Sequence, residues 1–206
     1  MTRGIFIAFE GGEGAGKSTQ SSALADHIAA RGHVVTRTRE PGGTPAAEAI
    51  RSVLLDPANA GLDDRAEALL FAAARGEHVA RVIRPALERG DIVVCDRFMD
   101  SSVAYQGIAR GLGRERVADL SLWATGGLRP DLAVLLDVDP ALGLARLEGP
   151  DRLEAEPVEW HQRVREGFRQ IAADDPDRYL VLDASRPVED LAIEIAARVD
   201  ELLGDP

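Results

Sequence analysis

Short apolar runs alternate with amphipathic stretches along most of this chain. The apolar runs predict five strands, at residues 3–10, 34–36, 92–95, 132–136 and 179–182. The stretches between them have helical spacing, and they cover residues 18–30, 44–55, 63–89, 101–107, 114–125, 140–147, 157–173 and 188–203. This alternation favours an α/β fold, with a five-stranded parallel sheet and helices on both faces.

Length and composition narrow the class of protein. The chain has 206 residues, of which 45% are hydrophobic and 29% are charged, so we expect one globular domain over residues 1–206. No apolar stretch reaches the roughly 20 residues of a membrane span, and no secretory signal is visible. The single cysteine, Cys95, excludes an intrachain disulfide and a cysteine-based zinc cluster. We therefore expect a cytoplasmic protein that does not bind membranes.

The charge balance argues against nucleic acid as a partner. The formal net charge is −11, and an acidic surface repels a polyanion. A small phosphorylated ligand remains possible if positive charge is gathered in one cleft.

One segment predicts that ligand directly. Lys17 is the only lysine in the chain, and it lies in a sequence that reads G-x-x-x-x-G-K-S, the phosphate-binding loop. The loop consists of Gly11, Gly12, Glu13, Gly14, Ala15, Gly16, Lys17 and Ser18. It follows a predicted strand and precedes a predicted helix, so its amides and the helix N-terminus can hold phosphates. The compact ammonium of Lys17 fits beside them, and Ser18 can place a hydroxyl on Mg²⁺.

The loop alone does not give the reaction. A GTPase with a guanine-reading N-K-x-D segment is excluded, because the chain has no second lysine. A regulatory ATPase stays open at this point.

Asp96 and Arg97 follow a predicted strand, at the edge of the sheet where α/β proteins bind ligands. The carboxylate could hold Mg²⁺ through water or accept a proton, and the guanidinium could bridge two phosphoryl groups. The alternative is a helix-capping Asp beside a solvated Arg.

Two further segments suggest an acceptor site. Residues 39–44 read Arg-Glu-Pro-Gly-Gly-Thr and specify a tight turn at the same edge, although an ordinary turn capped by Thr44 would also fit. Phe71 and Arg75 are four residues apart and so share one face of a helix. A stacking ring and a guanidinium donor could read a pyrimidine. Alternatively, Phe71 is core and Arg75 is a surface partner of Glu77 or Glu67.

Taken together, five segments resemble the thymidylate kinase family of P-loop nucleoside monophosphate kinases, in its bacterial form. They read E-G-G-E-G-A-G-K-S, R-E-P-G-G-T, L-L-F-A-A-A-R, D-R-F-M-D-S-S-V-A-Y-Q-G and R-P-D-L, and the resemblance runs from residue 5 to about 182. It implies the P-loop kinase fold with a short lid at about residues 147–155. The implied reaction transfers the γ-phosphoryl group of ATP to dTMP with Mg²⁺, in dTTP synthesis for DNA replication, by a homodimer.

The resemblance also implies roles for particular residues. The loop binds ATP, and Ser18 and Asp96 bind the metal. Asp96 and Arg97 lie where the two substrates meet. On the acceptor side, Glu40 and Arg51 lie near the phosphate, Phe71 stacks on thymine and Arg75 donates to its 4-carbonyl. Ser101, Ser102 and Gln106 face the other edge of the ring, and Tyr105 crowds the 2′ position.

The family supplies a transition-state arginine either from the phosphate loop or from the lid. Glu13 occupies the loop position here, so the resemblance implies a lid arginine, and it places Glu13 near the acceptor sugar. Our candidate is Arg152, preceded by Arg146, which we expect at the ATP phosphates; the alternative is that Arg152 pairs with Glu154 or Glu156. Ser185 falls where the family packs a loop near adenine.

Two other functions remain as alternatives to a thymidylate kinase. One is a kinase of another small acceptor, such as dCMP, UMP or shikimate. The other is a regulatory protein that binds nucleotide without transferring phosphate.

Overall fold

A computed structural model describes residues 3–149 and 151–204. Five strands form one parallel sheet, and they are β1 (Phe6–Glu10), β2 (Val35–Arg39), β3 (Ile92–Asp96), β4 (Leu132–Asp137) and β5 (Tyr179–Asp183). Their order across the sheet is β2-β3-β1-β4-β5. The predicted five-stranded parallel sheet is therefore confirmed.

The helices alternate with these strands, as the spacing predicted. They are α1 (Lys17–Ala30), α2 (Pro45–Leu55), α3 (Asp64–His78), α4 (Arg84–Arg89), α5 (Met99–Ser102), α6 (Arg114–Thr125), α7 (Pro140–Leu144), α8 (Val158–Asp174) and α9 (Val188–Leu203). A 3₁₀ turn covers Pro57–Asn59, and π-helical segments cover Val79–Ile83 and Val103–Ala109.

The predicted helix at 63–89 is divided in the structure. Its first part is α3 and its last part is α4, and the π-helical segment Val79–Ile83 joins them. Pro85 stands in the first turn of α4. Since proline has no amide hydrogen, it cannot continue the α-helical hydrogen bonding through that point, and a wider turn accommodates it.

The sheet is buried on both faces around β1. All five residues of β1 are buried. Ile7 and Phe9 belong to a cluster with side chains of α1 and α9. Phe6 and Ala8 alternate with them and pack against the segment that leads into α4. A parallel strand covered by helices on both sides is expected to be apolar at every position, as this one is.

The register of the strands brings the predicted site segments together. Asp96, at the end of β3, is paired in register with Phe9 of β1 and with Arg39 of β2. The phosphate loop, the Asp96-Arg97 pair and the turn after β2 therefore emerge side by side at the carboxyl edge of the sheet.

The lid region follows a short helix. The predicted helix at 140–147 ends earlier, since α7 ends at Leu144 and turns follow it. Of the lid predicted at about residues 147–155, Pro150 lies outside the described residues. Among the helices of residues 3–149 and 151–204, none has the length and apolarity needed to cross a membrane.

Candidate active site

A cleft of about 420 Å³ opens at the carboxyl edge of the sheet. Most of the predicted site residues line it, namely Glu13, Gly14, Ala15, Gly16, Lys17, Ser18, Glu40, Arg51, Phe71, Arg75, Asp96, Arg97, Ser101, Ser102, Tyr105 and Gln106. Five predicted residues are not among those that line it, namely Gly11, Gly12, Arg146, Arg152 and Ser185.

The phosphate loop and α7 pack too closely for a side chain at their contact. A Cβ on Gly14 would lie 2.0 Å from the carbonyl oxygen of Gly143, and one on Gly143 would lie 2.1 Å from that of Glu13. Gly14 also has a φ of 64°. The backbone of α7 therefore holds the loop in place, and Gly143 is a contributor that the motif did not predict.

Lys17 is only 8% exposed, and its Nζ donates to the carbonyl of Gly12 at 2.6 Å. Burial, with the nearby Arg97 guanidinium, lowers the pKa of Lys17 to about 8, although Glu13 and Asp96 oppose the shift. An ammonium buried in this way has already lost most of its hydration. Binding a phosphate therefore costs little further desolvation of the ammonium.

Ser18 and Asp96 meet at the mouth of the loop. The Ser18 hydroxyl donates to Asp96 Oδ2 at 2.6 Å. Hydroxyl and carboxylate oxygens suit Mg²⁺, which usually takes few protein ligands and shares the nucleotide phosphates. Within the described ranges, no group of three or more His, Cys, Asp or Glu side chains could hold a metal by itself.

Arg97 crosses the floor of the cleft in an unusual backbone conformation. Its φ is 67°, in the left-handed region that side-chain-bearing residues seldom adopt. Its Nη1 donates to the Gly11 carbonyl at 2.9 Å and its Nη2 to Glu13 Oε2 at 2.8 Å. The Tyr105 ring lies 5.2 Å from the guanidinium carbon. Arg97 thus ties β3 to the phosphate loop.

Glu13 is held as a carboxylate. Burial would raise its pKa, but Arg97, Lys17 and the Tyr105 hydroxyl outweigh burial and lower the pKa to about 2. The Tyr105 hydroxyl donates to Glu13 Oε1 at 2.6 Å. Glu13 and Tyr105, which we expect beside the acceptor sugar, are therefore in direct contact with each other.

Arg75 is buried, and its partners differ from the surface pairing that we considered. Its Nε donates to Glu40 Oε2 at 2.7 Å, and its Nη2 donates to Ser102 Oγ at 3.0 Å. Its Nη1 donates to Ser121 Oγ at 3.1 Å. The second carboxylate oxygen of Glu40 lies 3.0 Å from His78 Nδ1. Glu40 therefore fixes Arg75 at the cleft wall.

A group of arginines lines the part of the cleft that faces the turn after β2. Arg51 donates to the Pro41 carbonyl at 3.0 Å, and Arg39 donates to Glu48 at 3.0 Å. Burial, with the neighbouring Arg39 guanidinium, lowers the pKa of Arg51. Arg39 lies inside the R-E-P-G-G-T segment, yet nothing in that pattern assigned it a role.

Gln106 lines the cleft, as Phe71 does, and its side chain is held by a buried carboxylate. Its Nε2 donates to Glu67 Oε1 at 2.8 Å. Glu67 is 0% exposed. It was considered only as a surface partner of Arg75, and a charge at helical spacing gives no signal of such burial.

Glu10 is a second buried carboxylate that sequence reasoning missed. It accepts hydrogen bonds from the amide of Phe98 at 2.9 Å and from the Ser101 hydroxyl at 2.6 Å. Both donors follow Arg97 closely in the chain. Burial, with the nearby Asp100, raises the pKa of Glu10 to about 7.

Of the two candidate lid arginines, Arg152 is bound to a buried carboxylate and Arg146 to the phosphate loop. Arg152 is 6% exposed, its Nη2 lies 2.6 Å from Glu67 Oε2, and its Nε donates to the Leu54 carbonyl at 2.6 Å. It is thus committed to Glu67 rather than to the ATP side, and it pairs with neither Glu154 nor Glu156. Arg146 is exposed and donates to the Gly14 carbonyl of the phosphate loop at 2.9 Å.

Ser185 lies on the exposed turn after β5. Its amide and its hydroxyl both bond to Asp183 Oδ1, at 2.9 and 2.7 Å. These bonds shape the turn, and the expected proximity of Ser185 to adenine stays a prediction.

Comparisons with known proteins agree with this arrangement. The family model described as thymidylate kinase matches residues 9–195. A thymidylate kinase of Deinococcus radiodurans is 52% identical over 204 residues, covering 98% of each chain. One of Symbiobacterium thermophilum is 52% identical over 201 residues, covering 97% of this chain and 94% of that protein.

A solved structure shares the fold. The crystal structure of thymidylate kinase from Ehrlichia chaffeensis superposes with a TM-score of 0.80 at 34% identity. The match covers 96% of this chain and 99% of that one.

Proposed function

We infer that this chain, which belongs to the thymidylate kinase family, transfers the γ-phosphoryl group of ATP to dTMP and yields ADP and dTDP. The observation that carries the inference is the single cleft in which the phosphate loop faces Phe71, Arg75 and Gln106. A phosphate-binding loop alone would suit many ATPases. A second set of side chains suited to a pyrimidine nucleotide indicates an acceptor.

On the donor side, we assign the ATP phosphates to the amides of the loop and to Lys17. The start of α1 at Lys17 adds the positive end of a helix dipole to the same place. Ser18 and Asp96 are the residues that would hold Mg²⁺, which neutralises phosphate charge when bound. We assign Arg146 to the ATP phosphates as well, because it already contacts the loop at Gly14.

On the acceptor side, we assign the phosphate of dTMP to the arginines of the cleft. Arg39, Arg51 and Arg97 all line it. Of these, Arg97 lies nearest to the phosphate loop, through its contacts with Gly11 and Glu13. It is therefore the residue best placed to touch both phosphates during transfer. Phosphoryl transfer depends chiefly on such positioning and charge neutralisation.

For the nucleoside, Phe71 supplies a ring for stacking and Arg75 supplies a donor for the 4-carbonyl of thymine. The guanidinium of Arg75 has five N–H groups and makes four hydrogen bonds within the protein, so it retains a donor for the base. The Tyr105–Glu13 pair lies where we expect the sugar, and its bulk would disfavour a 2′-hydroxyl.

We also propose a homodimer. Three exposed apolar side chains lie on neighbouring helices, namely Val53 on α2, Leu69 on α3 and Trp123 on α6, with exposures of 44, 58 and 83%. Since α3 packs against both α2 and α6, these helices offer one connected surface. An apolar patch of this kind is typical of a protein–protein contact.

The decisive assay measures ADP release from ATP in the presence of dTMP, with Lys17→Ala as the inactive control. The proposal expects turnover with dTMP and dUMP, little with dCMP, and almost none in the control. ATP binding without transfer to any acceptor would show a regulatory protein. Preferential use of dCMP or shikimate would show a kinase of another acceptor.

A further inference from the structure

Glu67 is a fully buried carboxylate directly behind the surface that we assign to the base. It lies on α3, one turn before Phe71 and two turns before Arg75, so the three side chains share one face of the helix. Both Phe71 and Arg75 line the cleft, whereas Glu67 does not. Burying a carboxylate costs free energy unless donors surround it, so its partners are informative.

The partners of Glu67 are all hydrogen-bond donors. Oε1 accepts from Gln106 Nε2 at 2.8 Å. Oε2 lies 2.6 Å from Arg152 Nη2 and 3.4 Å from Arg110 Nη2. The two guanidiniums supply the opposite charge, and the amide of Gln106 supplies the remaining short contact.

This environment fixes which end of the Gln106 amide faces the ligand. A side-chain amide has a donor end and an acceptor end, and an ionised carboxylate can bond only with the donor end. The nitrogen of Gln106 is therefore turned towards Glu67, and the oxygen is left for the cleft. The reverse orientation would set two oxygens against each other and leave the buried carboxylate without its bond.

We propose that Glu67 is a specificity-determining positioning residue, which selects a 4-keto pyrimidine with a protonated N3 by holding the Gln106 oxygen towards the base. The proposal rests on the function inferred above and extends it. Arg75 offers a donor and Gln106 offers an acceptor. Thymine and uracil present the complementary pair, a 4-carbonyl and N3–H. Cytosine presents a 4-amino donor and an unprotonated N3, so it is mismatched at both positions.

The test is the ratio of kcat/KM for dTMP to that for dCMP in a Glu67→Gln enzyme. The guanidiniums of Arg152 and Arg110 can only donate, so they attract the oxygen of the new amide. Its NH₂ group is then turned towards Gln106, whose amide must reverse and present N–H to the base. We expect the dTMP:dCMP ratio to fall about tenfold or more. Because dUMP shares N3–H with dTMP, the two should change in parallel.

Two further variants separate this role from a merely structural one. Arg110→Gln removes a cation from Glu67 and leaves the Glu67–Gln106 bond, so its dTMP:dCMP ratio should equal that of the unsubstituted enzyme. Glu67→Asp keeps the charge that compensates the arginines but draws the carboxylate away from Gln106, so the ratio should fall. The Glu67→Asp enzyme also serves as the test if Glu67→Gln does not fold.

The assay distinguishes a failure of the proposed function from a failure of the role of Glu67. An unsubstituted enzyme that does not phosphorylate dTMP would overturn the proposed function and this inference together. An active enzyme whose Glu67 variants lose dTMP and dCMP turnover equally, with the ratio unchanged, would overturn only the role of Glu67.

Discussion

The Arg97 guanidinium donates to the Glu13 carboxylate at 2.8 Å, which joins the end of β3 to the phosphate loop across the floor of the cleft. Arg97 reaches this position from a left-handed backbone conformation, with a φ of 67°. Glu13 in turn accepts from Tyr105. The pair therefore links the donor side of the cleft to the sugar end of the acceptor side.

Arg97→Lys should impair transfer far more than it impairs ATP binding. A lysine can reach one of the two present acceptors, Gly11 or Glu13, but it cannot form a planar fork between two phosphates. We expect kcat to fall by about 10²–10³-fold. Steady-state kinetics and a separate ATP titration check this, with Arg37→Lys, at an exposed position of β2, as the matched control. A kcat close to that of the control would contradict the role of Arg97.

ATP affinity should weaken as the pH rises through about 8. The pKa of Lys17 is lowered to about 8 in the ligand-free protein, so its ammonium is charged below that pH and is lost above it. A neutral amine does not attract phosphate. Isothermal titration of ATP between pH 6.5 and 9.5 measures the effect. Lys17→Ala should bind weakly at every pH, and an equal pH dependence in that variant would assign the titration to another group.

Glu10 should make the protein less stable as the pH rises towards neutrality. Its pKa is raised from 4.5 to about 7, so between these values the folded state binds more protons than the unfolded state. Stability is therefore lost as the pH rises from 4.5 to 7, by at most about 3 kcal/mol. The loss should level off above pH 7.

Glu10→Gln supplies the comparison for this titration. Urea unfolding at several pH values gives the free energy of unfolding for each protein. The difference between the two proteins should change across pH 4.5–7 and be constant above it. A constant difference throughout would mean that Glu10 titrates at its ordinary pKa.

Replacement by alanine should lower stability at Arg152 and turnover at Arg146. Arg152 is buried against Glu67, so Arg152→Ala leaves that buried carboxylate with only the more distant Arg110 as a cation, at 3.4 Å, and should cost about 3–5 kcal/mol of stability. Arg146 is exposed and contacts the loop, so Arg146→Ala should lower kcat with little change in the melting temperature. Thermal melts and turnover measure both. A stable Arg152→Ala enzyme with greatly reduced turnover would restore Arg152 as the catalytic lid arginine.

Trp123→Glu should shift the protein from dimer to monomer. Trp123 is 83% exposed in the single chain. Burying a carboxylate at this position in a dimer interface would cost free energy. Sedimentation velocity at several concentrations checks the outcome. A matched Val34→Glu variant, also exposed but directly before the edge strand β2, should sediment like the unsubstituted protein.

The sequence predicted the fold well because its signals are local. The β1 run, the loop and the start of α1 are adjacent in the chain, and each has a pattern that can be recognised in a few residues. The division of the 63–89 helix was not predicted, because periodicity continues through Val79–Ile83 although the hydrogen bonding changes.

The site was harder to predict where it depends on long-range contacts. Phe71 and Arg75 could be paired from helical spacing, but Glu67 and Arg152 are far apart in sequence and are joined only by packing. Glu10 was counted as the last residue of a strand. Nothing local indicates that its carboxylate would accept bonds from Phe98 and Ser101, which lie 88 and 91 residues further along the chain.

Lys17 offers an unusual experimental handle. It carries the only side-chain amine in the chain, and that amine is partly deprotonated at mildly alkaline pH. Besides the α-amine of the chain, a small acylating reagent can therefore modify this one amine only, and peptide mass spectrometry would locate the adduct at Lys17. Protection by added nucleotide would then report occupancy of the donor pocket without any engineered label.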